Sequence, residues 1–204
     1  MQVDPTSGRA APGSSTTQNN YDDVAEVLKR GGVIAYPTES CFGLGCDPRD
    51  HSAVRRILQI KRRCKSKGLI LVSDNFSRFR PFIAGVPETF RETVLASWPG
   101  PNTWLLPTRP GVSSWLKGDY QTLAVRVSND KTVRGICRAA KMAIVSTSAN
   151  RSGKPSLRTY EQVKLSLGKE VDYVVPGTIG MQTSPSRIRD GLTGEVIRGE
   201  VVNS

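Results

Sequence analysis

The chain has 204 residues, 37% of them hydrophobic, which is enough for one domain with a real core and contains no apolar run of membrane-spanning length. Lys and Arg total 29 against 18 Asp and Glu, a net charge of +11, which points to a polyanionic partner: nucleic acid, nucleotide phosphates, or both. The four cysteines form no C-x-x-C pair and accompany one histidine, His51; this argues against a Cys/His zinc site and fits a reducing cytoplasm.

Residues 1–20 are rich in Ser, Thr, Gly, Pro and Asn, without hydrophobic periodicity or a signal-peptide core. They read as a disordered tail, and the folded domain as 21–204. Asp22 or Asp23 can cap a helix with Val24, Ala25, Val27 and Leu28 as its apolar stripe, ended by Gly31-Gly32. Val33–Tyr36 reads as a buried strand that stops at Pro37 and opens a loop from Thr38 to Gly45. Ala53, Val54, Ile57, Leu58 and Ile60 mark a second helix, and Leu69–Val72 a second strand. A helix is expected near Pro87–Ala96, then a rigid turn at Trp98–Pro101 and strands at Thr103–Leu106 and Leu123–Val127. Thr132–Ala140 reads as a helix and Ala143–Val145 as a strand that empties into the polar run Ser146–Gly153. Thr159 and Gln162 have capping-box spacing for another helix, and Tyr173–Val175 and Glu195–Arg198 are late strands. Strands alternating with helices, without a repeat, indicate an α/β domain with an open mixed sheet.

The charge is uneven. Arg55, Arg56, Lys61, Arg62, Arg63, Lys65 and Lys67 fall within thirteen residues that contain no acid. A solvated helix face usually mixes signs, so this run is either a nonspecific basic surface or a phosphate site. No Walker loop is present, because Gly153-Lys154 is followed by Pro155. No G-x-G-x-x-G occurs, and the lone histidine argues against a Ser-His-Asp mechanism. What remains is a set of strand ends carrying Thr38, Ser40, Lys61, Arg63, Arg126, the Ser146–Gly153 run, Ser186 and Arg198. These suit charge-assisted recognition of phosphate and carboxylate, and reactions run by positioning and charge neutralisation. Arg126 reads either as an exposed strand arginine or as a carboxylate clamp. Glu39 is read as a helix cap rather than a magnesium-side carboxylate. Trp98 and Trp104 are read as core anchors rather than base-stacking platforms, and Lys154 as solvated.

Several motifs together resemble a known family. They are Tyr36-Pro37-Thr38-Glu39 with Phe42–Gly45, Ile60–Arg63 with Lys67–Leu71, Trp98–Thr103, Leu123–Val127, Ser146–Asn150 with Ser152-Gly153, and Pro185–Asp190 with Thr193–Glu195. In this order, from about Asp22 to Glu200, they look like the threonylcarbamoyl-AMP synthase (YrdC/TsaC) family in its short single-domain form. The resemblance implies a YrdC-like α/β fold: a twisted open mixed sheet with flanking helices and a large concave basic groove. It implies synthesis of L-threonylcarbamoyladenylate from L-threonine, bicarbonate or CO2, and ATP, with release of pyrophosphate, for threonylcarbamoyladenosine modification of tRNA. It implies that Lys61 and Arg63 are catalytic and hold the triphosphate, with Lys67 in support. Thr38, Arg126, Ser146 and Ser186 would bind threonine, and Thr122, Ser148, Asn150, Ser156 and Arg198 the nucleotide. Magnesium is expected with ATP, held by phosphate oxygens and water and by no residue of the chain. TsaB-, TsaD- and TsaE-type proteins are the implied partners, with tRNA or double-stranded RNA a further one, and no membrane. The family usually has proline where Cys64 stands, residues 1–20 have no counterpart in it, and the extension of its longer form is absent. The alternative is an RNA-binding module that uses the basic groove without catalysis.

Overall fold

The computed structural model describes residues 21–182 and 186–199. The tail 1–20, Pro185 and Glu200 lie outside them. Nine strands form one sheet in the order β7-β1-β2-β6-β3-β5-β4-β8-β9. They are β1 (Ile34–Pro37), β2 (Phe42–Gly45), β3 (Ile70–Ser73), β4 (Asn102–Pro107), β5 (Thr122–Val127), β6 (Ile144–Ser148), β7 (Tyr173–Val174), β8 (Arg187–Asp190) and β9 (Val196–Arg198). The pairs β1/β7, β3/β5 and β4/β8 are parallel and the others antiparallel, so the sheet is mixed as expected.

Helices cover both faces. On one, α1 (Tyr21–Lys29) and α5 (Lys131–Ala140) bury Val24, Leu28, Val133 and Ile136 against Ile34, Tyr36, Val72 and Ile144. The other carries the larger core. There α2 (His51–Lys61) and α6 (Tyr160–Leu167), with the short α3 (Arg91–Ala96) and α4 (Ser114–Lys117), pack on Leu44, Leu71, Trp104, Val125 and Val145. Trp104 is fully buried and Trp98 packs against this core, so both are anchors. Asp50 caps α2 by accepting from Ser52 N (2.8 Å) and Ala53 N (3.0 Å), and Thr159 and Gln162 close the expected capping box on α6.

Three expectations change. The segment Thr38–Gly45 is not one loop, because Phe42–Gly45 is strand β2, antiparallel to β1 and β6. Its glycines hid it. A Cβ on Gly45 would stand 2.9 Å from the Tyr36 ring and 2.9 Å from the Val145 carbonyl, so Tyr36 supplies the side chain that β2 omits on that face. Ser146, Thr147 and Ser148 are likewise strand rather than loop. With period-two alternation, Ser146 and Ser148 share one face. Asp22 and Asp23 lie in the first turn of α1 rather than ahead of it, where they still complement the helix dipole. Strand β8 and helix α4, for which the sequence had no reading, complete the sheet edge and the larger core.

Candidate active site

The α1/α5 layer covers only part of its sheet face. Beyond it the same face lies open as a groove of about 400 Å³, within the range of small-molecule sites. Its floor is mostly small or polar, with Gly43 on β2, Ser146 and Ser148 on β6, and Thr122, Ala124 and Arg126 on β5, and is apolar at Ile70 and Val72 on β3. Its walls are Thr38–Cys41, Arg63, Lys67, Lys117, Tyr120, Ser156, Gln182, Ser186, Ile188 and Arg198.

Thr38 to Cys41 is the turn of the β1–β2 hairpin. Thr38 N and Oγ1 both donate to the Cys41 carbonyl, at 3.0 and 2.8 Å, so the turn is stiff where it meets the groove. Glu39 neither caps a helix nor sits free for a cation. Its Oε2 accepts from Arg126 Nη2 (3.0 Å) and its Oε1 from Ser128 Oγ (2.9 Å). Arg126 is therefore not an exposed strand arginine; it is 7% exposed and ion-paired within the groove floor. Ser146 Oγ accepts from the buried Tyr36 hydroxyl (2.8 Å), which leaves its own proton to point elsewhere. Burial lifts the Tyr36 phenol well above its ordinary pKa, so it stays a donor. Ser186 Oγ is held by Thr103 Oγ1 at 2.9 Å, and its carbonyl accepts from Arg198 Nη2 at 3.2 Å.

The basic run from Arg55 to Lys67 divides four ways. Arg56 pairs with Asp172. Arg55, Arg62 and Lys65 are exposed. Arg62 ends α2 in the left-handed region at φ 49°, and the turn brings Arg63 to the groove wall together with Lys67. Arg63 Nη2 donates to the Gly68 carbonyl (3.1 Å), while its Nε is buried without a partner, an N–H available to an anion. Burial lowers the pKa of Arg63. Burial, then the charges of Arg63 and Arg126, lower that of Arg198, so Arg198 feels both of those guanidiniums across the groove.

Lys61 takes the fourth course. It is 3% exposed and lies behind the Ser148–Asn150 turn rather than on the groove wall. Its ammonium donates to the Ser148 carbonyl and, at 2.8 to 3.4 Å, to Asn150 Oδ1, the Asn150 carbonyl and Ser148 Oγ. Burial, then the charge of Arg63, brings its pKa down to about 8. Ser152 N donates to the Lys61 carbonyl at 2.7 Å, and Arg151 reaches Glu170 and the Ile60 carbonyl. The turn after β6 is thus bolted to the end of α2. Asn150 belongs to this bolt and is not among the groove-lining residues; Ser148 Oγ donates to its Oδ1 at 2.7 Å. Leu157, bonded to Phe42 N and Ala149 O, carries Ser156 to the wall.

Of the twelve site residues expected from the sequence, ten line one groove: Thr38, Arg63, Lys67, Thr122, Arg126, Ser146, Ser148, Ser156, Ser186 and Arg198. Lys61 and Asn150 stand behind it. The sequence reading missed Glu39 as an ion-pair partner and Tyr36 as the support of Ser146. Both pairings join residues about ninety or more positions apart, so only spacing on the folded sheet reveals them.

Among the described residues no group of His, Cys, Asp or Glu could hold a metal ion. Among the described residues Glu39 is the one carboxylate that lines the groove, and it is already engaged by Arg126 and Ser128. These residues do not form a protein-held magnesium site. No helix of the described residues is long and apolar enough to cross a membrane.

A family model described as telomere recombination, covering the Sua5, YciO and YrdC proteins, matches residues 26–199. A threonylcarbamoyl-AMP synthase of Nitrosococcus oceani is 48% identical over 174 residues, 85% of this chain and 94% of that protein. One of Alkalilimnicola ehrlichii is 44% identical over 190 residues, 92% of this chain and 99% of that protein. Among solved structures, P. abyssi Sua5 complexed with L-threonine superposes with a TM-score of 0.78 at 28% identity, over 83% of this chain. This chain spans 50% of that longer protein. E. coli YciO superposes with a TM-score of 0.72 at 26% identity, over 83% of this chain and 82% of its own. The mixed sheet, the groove and these matches agree: the chain belongs to the Sua5/YciO/YrdC family.

Proposed function

We propose that the groove makes L-threonylcarbamoyladenylate from L-threonine, bicarbonate or CO2, and ATP, releasing pyrophosphate. The observation that carries this reading is the charge arrangement. Among the described residues, Arg63, Lys67, Lys117, Arg126 and Arg198 line one groove with a single carboxylate, over a floor made mostly of hydroxyls and small side chains. Such a groove favours a ligand with several negative charges and leaves room for it on the sheet.

The chemistry needs little more from the chain. Threonine carbamate is already an anion, so its oxygen can attack the α-phosphorus without a histidine base. Arg63, with its unpartnered Nε, and Lys67 are suited to the triphosphate and to the charge that develops on leaving pyrophosphate. Arg198, Thr122, Ser148 and Ser156 are suited to the nucleotide. Thr38, Arg126, Ser146 and Ser186 cluster at the end suited to the amino acid. Lys61 and Asn150 act by fixing the turn that carries Ser148, and Lys61 meets phosphate only if that turn opens. Magnesium enters as part of the ATP complex, on phosphate oxygens and water.

The named relatives, and the L-threonine carried by the P. abyssi protein, support this reading over an RNA-binding module. An RNA contact remains compatible with it. Arg55 and Lys65 lie over the Trp115 ring at 5.9 and 5.2 Å, an aromatic-basic strip outside the groove suited to the phosphates of tRNA or double-stranded RNA. The reading further implies TsaB-, TsaD- and TsaE-type partners that carry the product onward, and a cytoplasmic setting, in keeping with the free thiols of Cys41, Cys46, Cys64 and Cys137.

The test is pyrophosphate release from ATP with and without threonine and bicarbonate. Release that requires both supports the synthase. Release indifferent to threonine rules it out.

A further inference from the structure

Arg126 and Glu39 pose a problem for a site that takes a carboxylate. The arginine that should clamp the ligand already holds a carboxylate of the protein's own, at 3.0 Å. Both partners are largely buried, with side-chain exposures of 9% and 16%. A paired charge in such a place does little for stability that an apolar pair would not do as well. Nothing else in the hairpin turn requires Glu39, since Thr38 alone closes the turn.

The backbone beneath Glu39 is fixed. Gly180 N donates to the Thr38 carbonyl (2.9 Å) and Gln182 N to the Glu39 carbonyl (3.0 Å). A Cβ on Gly180 would stand 2.9 Å from the Glu39 carbonyl oxygen, so this segment lies directly on the turn. Ser128 Oγ holds the second carboxylate oxygen. Around the pair, Thr38, Ser146, Gln182 and Ser186 line the groove. Other ionisable groups near the carboxylate are the Tyr36 phenol, which feels the charges of Glu39 and Arg126, and Asp130, which caps α5 through Val133 N at 3.0 Å. Burial raises the pKa of Asp130 and the Glu39 charge adds to that, which marks Asp130 as a neighbour of the pair.

Elsewhere the charged groups that the described residues bring to the groove are all cations, and any anion would be drawn to it. At Arg126 it presents one positive and one negative charge side by side. That pair is complementary to an α-amino acid, whose carboxylate and ammonium are adjacent in the same way. We propose that Glu39 reads the α-ammonium of the amino-acid substrate, so that the site selects a zwitterion over a carboxylic acid that lacks the amine. The proposal rests on the reading of this end of the groove as the threonine site. Binding then exchanges one internal ion pair for two with the ligand. Arg126 turns to the substrate carboxylate while Glu39 turns to the ammonium. An acid without the amine must displace Glu39 from Arg126 and leave it buried without a cation.

The experiment uses the full chain and two ligands, L-threonine and 2,3-dihydroxybutanoate, in which a hydroxyl replaces the α-amine. Calorimetric titration should show threonine binding roughly 10- to 100-fold more tightly to the wild-type protein, the range of one charge-assisted contact. In Glu39→Gln, which can still accept from Ser128, threonine affinity should fall and the ratio between the two ligands should approach one. Glu39→Asp should keep a preference for threonine. An unchanged ratio in Glu39→Gln, or equal weakening of both ligands, would reduce Glu39 to a brace for Arg126 and overturn the proposal. Loss of the preference in Glu39→Asp would overturn it too. If wild-type protein shows threonine-dependent pyrophosphate release and the ratio still does not move, only the role of Glu39 fails. If the wild type shows neither that release nor threonine binding, the proposed function fails and the role of Glu39 fails with it.

Discussion

The sheet face under α1 and α5 and the open face beside it are built from the same strands. On β6, Ile144 is buried beneath the helices, while Ser146, two residues on, lies in the groove. On β1 and β2, the Tyr36 ring packs under α1 and α5 and rests on Gly45, and Gly43 is groove floor. On β5 the groove side carries Thr122, Ala124 and Arg126, while Leu123, Val125 and Val127 face the other core. The difference is one of side-chain size and polarity at alternate positions, not of backbone. Core becomes binding surface within a single strand where large apolar residues give way to hydroxyls, alanine and glycine.

Five substitutions probe that boundary. The largest effect is expected at Arg126, which belongs to both regions. Arg126→Ala leaves Glu39 buried without its cation, and breaking such a pair costs about 3–5 kcal/mol. Chemical denaturation should register that loss, and threonine-dependent turnover should vanish. A variant of near-normal stability would mean that water already screens the pair.

Next comes a matched pair across the boundary. Ile144→Ala, under the helices, should lower stability by about 2–5 kcal/mol and hardly change KM for threonine or ATP. Ala124→Leu, in the open floor, should do the reverse: raise KM about tenfold or more, with Tm shifted by little, because its side chain enters solvent-filled space rather than a packed core. If both variants lose stability alike, the groove is part of the core and the contrast is wrong.

Lys61→Met comes third. It strips hydrogen bonds from the carbonyls of Ser148 and Asn150, at an expected cost of about 1–3 kcal/mol. Activity should fall because the Ser148 turn loosens. Here pH gives an independent readout. Burial holds the folded-state pKa at about 8, below the ordinary 10.5, so the folded chain binds this proton less tightly than the unfolded chain does. The Lys61 contribution to stability is therefore present above pH 10.5 and lost as pH falls through 8. Wild type should gain on Lys61→Met as pH rises from 8 to 10.5. Parallel stability curves would show that the ammonium is not desolvated.

The smallest effect belongs to Tyr36→Phe. It removes one hydrogen bond to Ser146, worth about 1 kcal/mol, and should raise KM for threonine modestly through a less well-oriented serine. An unaltered KM would mean that Ser146 needs no support.

The helices were the most legible part of the fold. Each of α1, α2, α5 and α6 carries its stripe or cap locally, as Asp50 and the Thr159/Gln162 box illustrate. Strand β2 was not legible, because Phe42-Gly43-Leu44-Gly45 shows a turn-rich composition, and the bulk missing from its glycines is supplied by Tyr36 from the neighbouring strand. The polar run after Val145 was found but misread as loop. Ser146 and Ser148 are strand because β2 and β3 flank them and take up their backbone hydrogen bonds. At the site, residue types at strand ends pointed to Thr38, Arg63, Arg126, Ser146, Ser148, Ser186 and Arg198, and the family resemblance added Lys67, Thr122 and Ser156. The resemblance also set Lys61 at the triphosphate, whereas the structure buries it behind the Ser148–Asn150 turn, because charge alone cannot tell a side chain aimed at a groove from one sealed behind its wall.

What the sequence by itself determined is the chemistry available: an excess of Lys and Arg, hydroxyls after apolar runs, no histidine base and no metal cluster. Composition and local pattern carry that information, since it belongs to single residues and near neighbours. The tertiary structure alone decided which charges face the ligand and which face one another. Glu39 meets Arg126 across 87 positions and Lys61 meets Ser148 across 87, contacts set by the order of strands in the sheet. Coulomb forces act over a few ångströms of space, and chain separation says nothing about that distance until the sheet has formed.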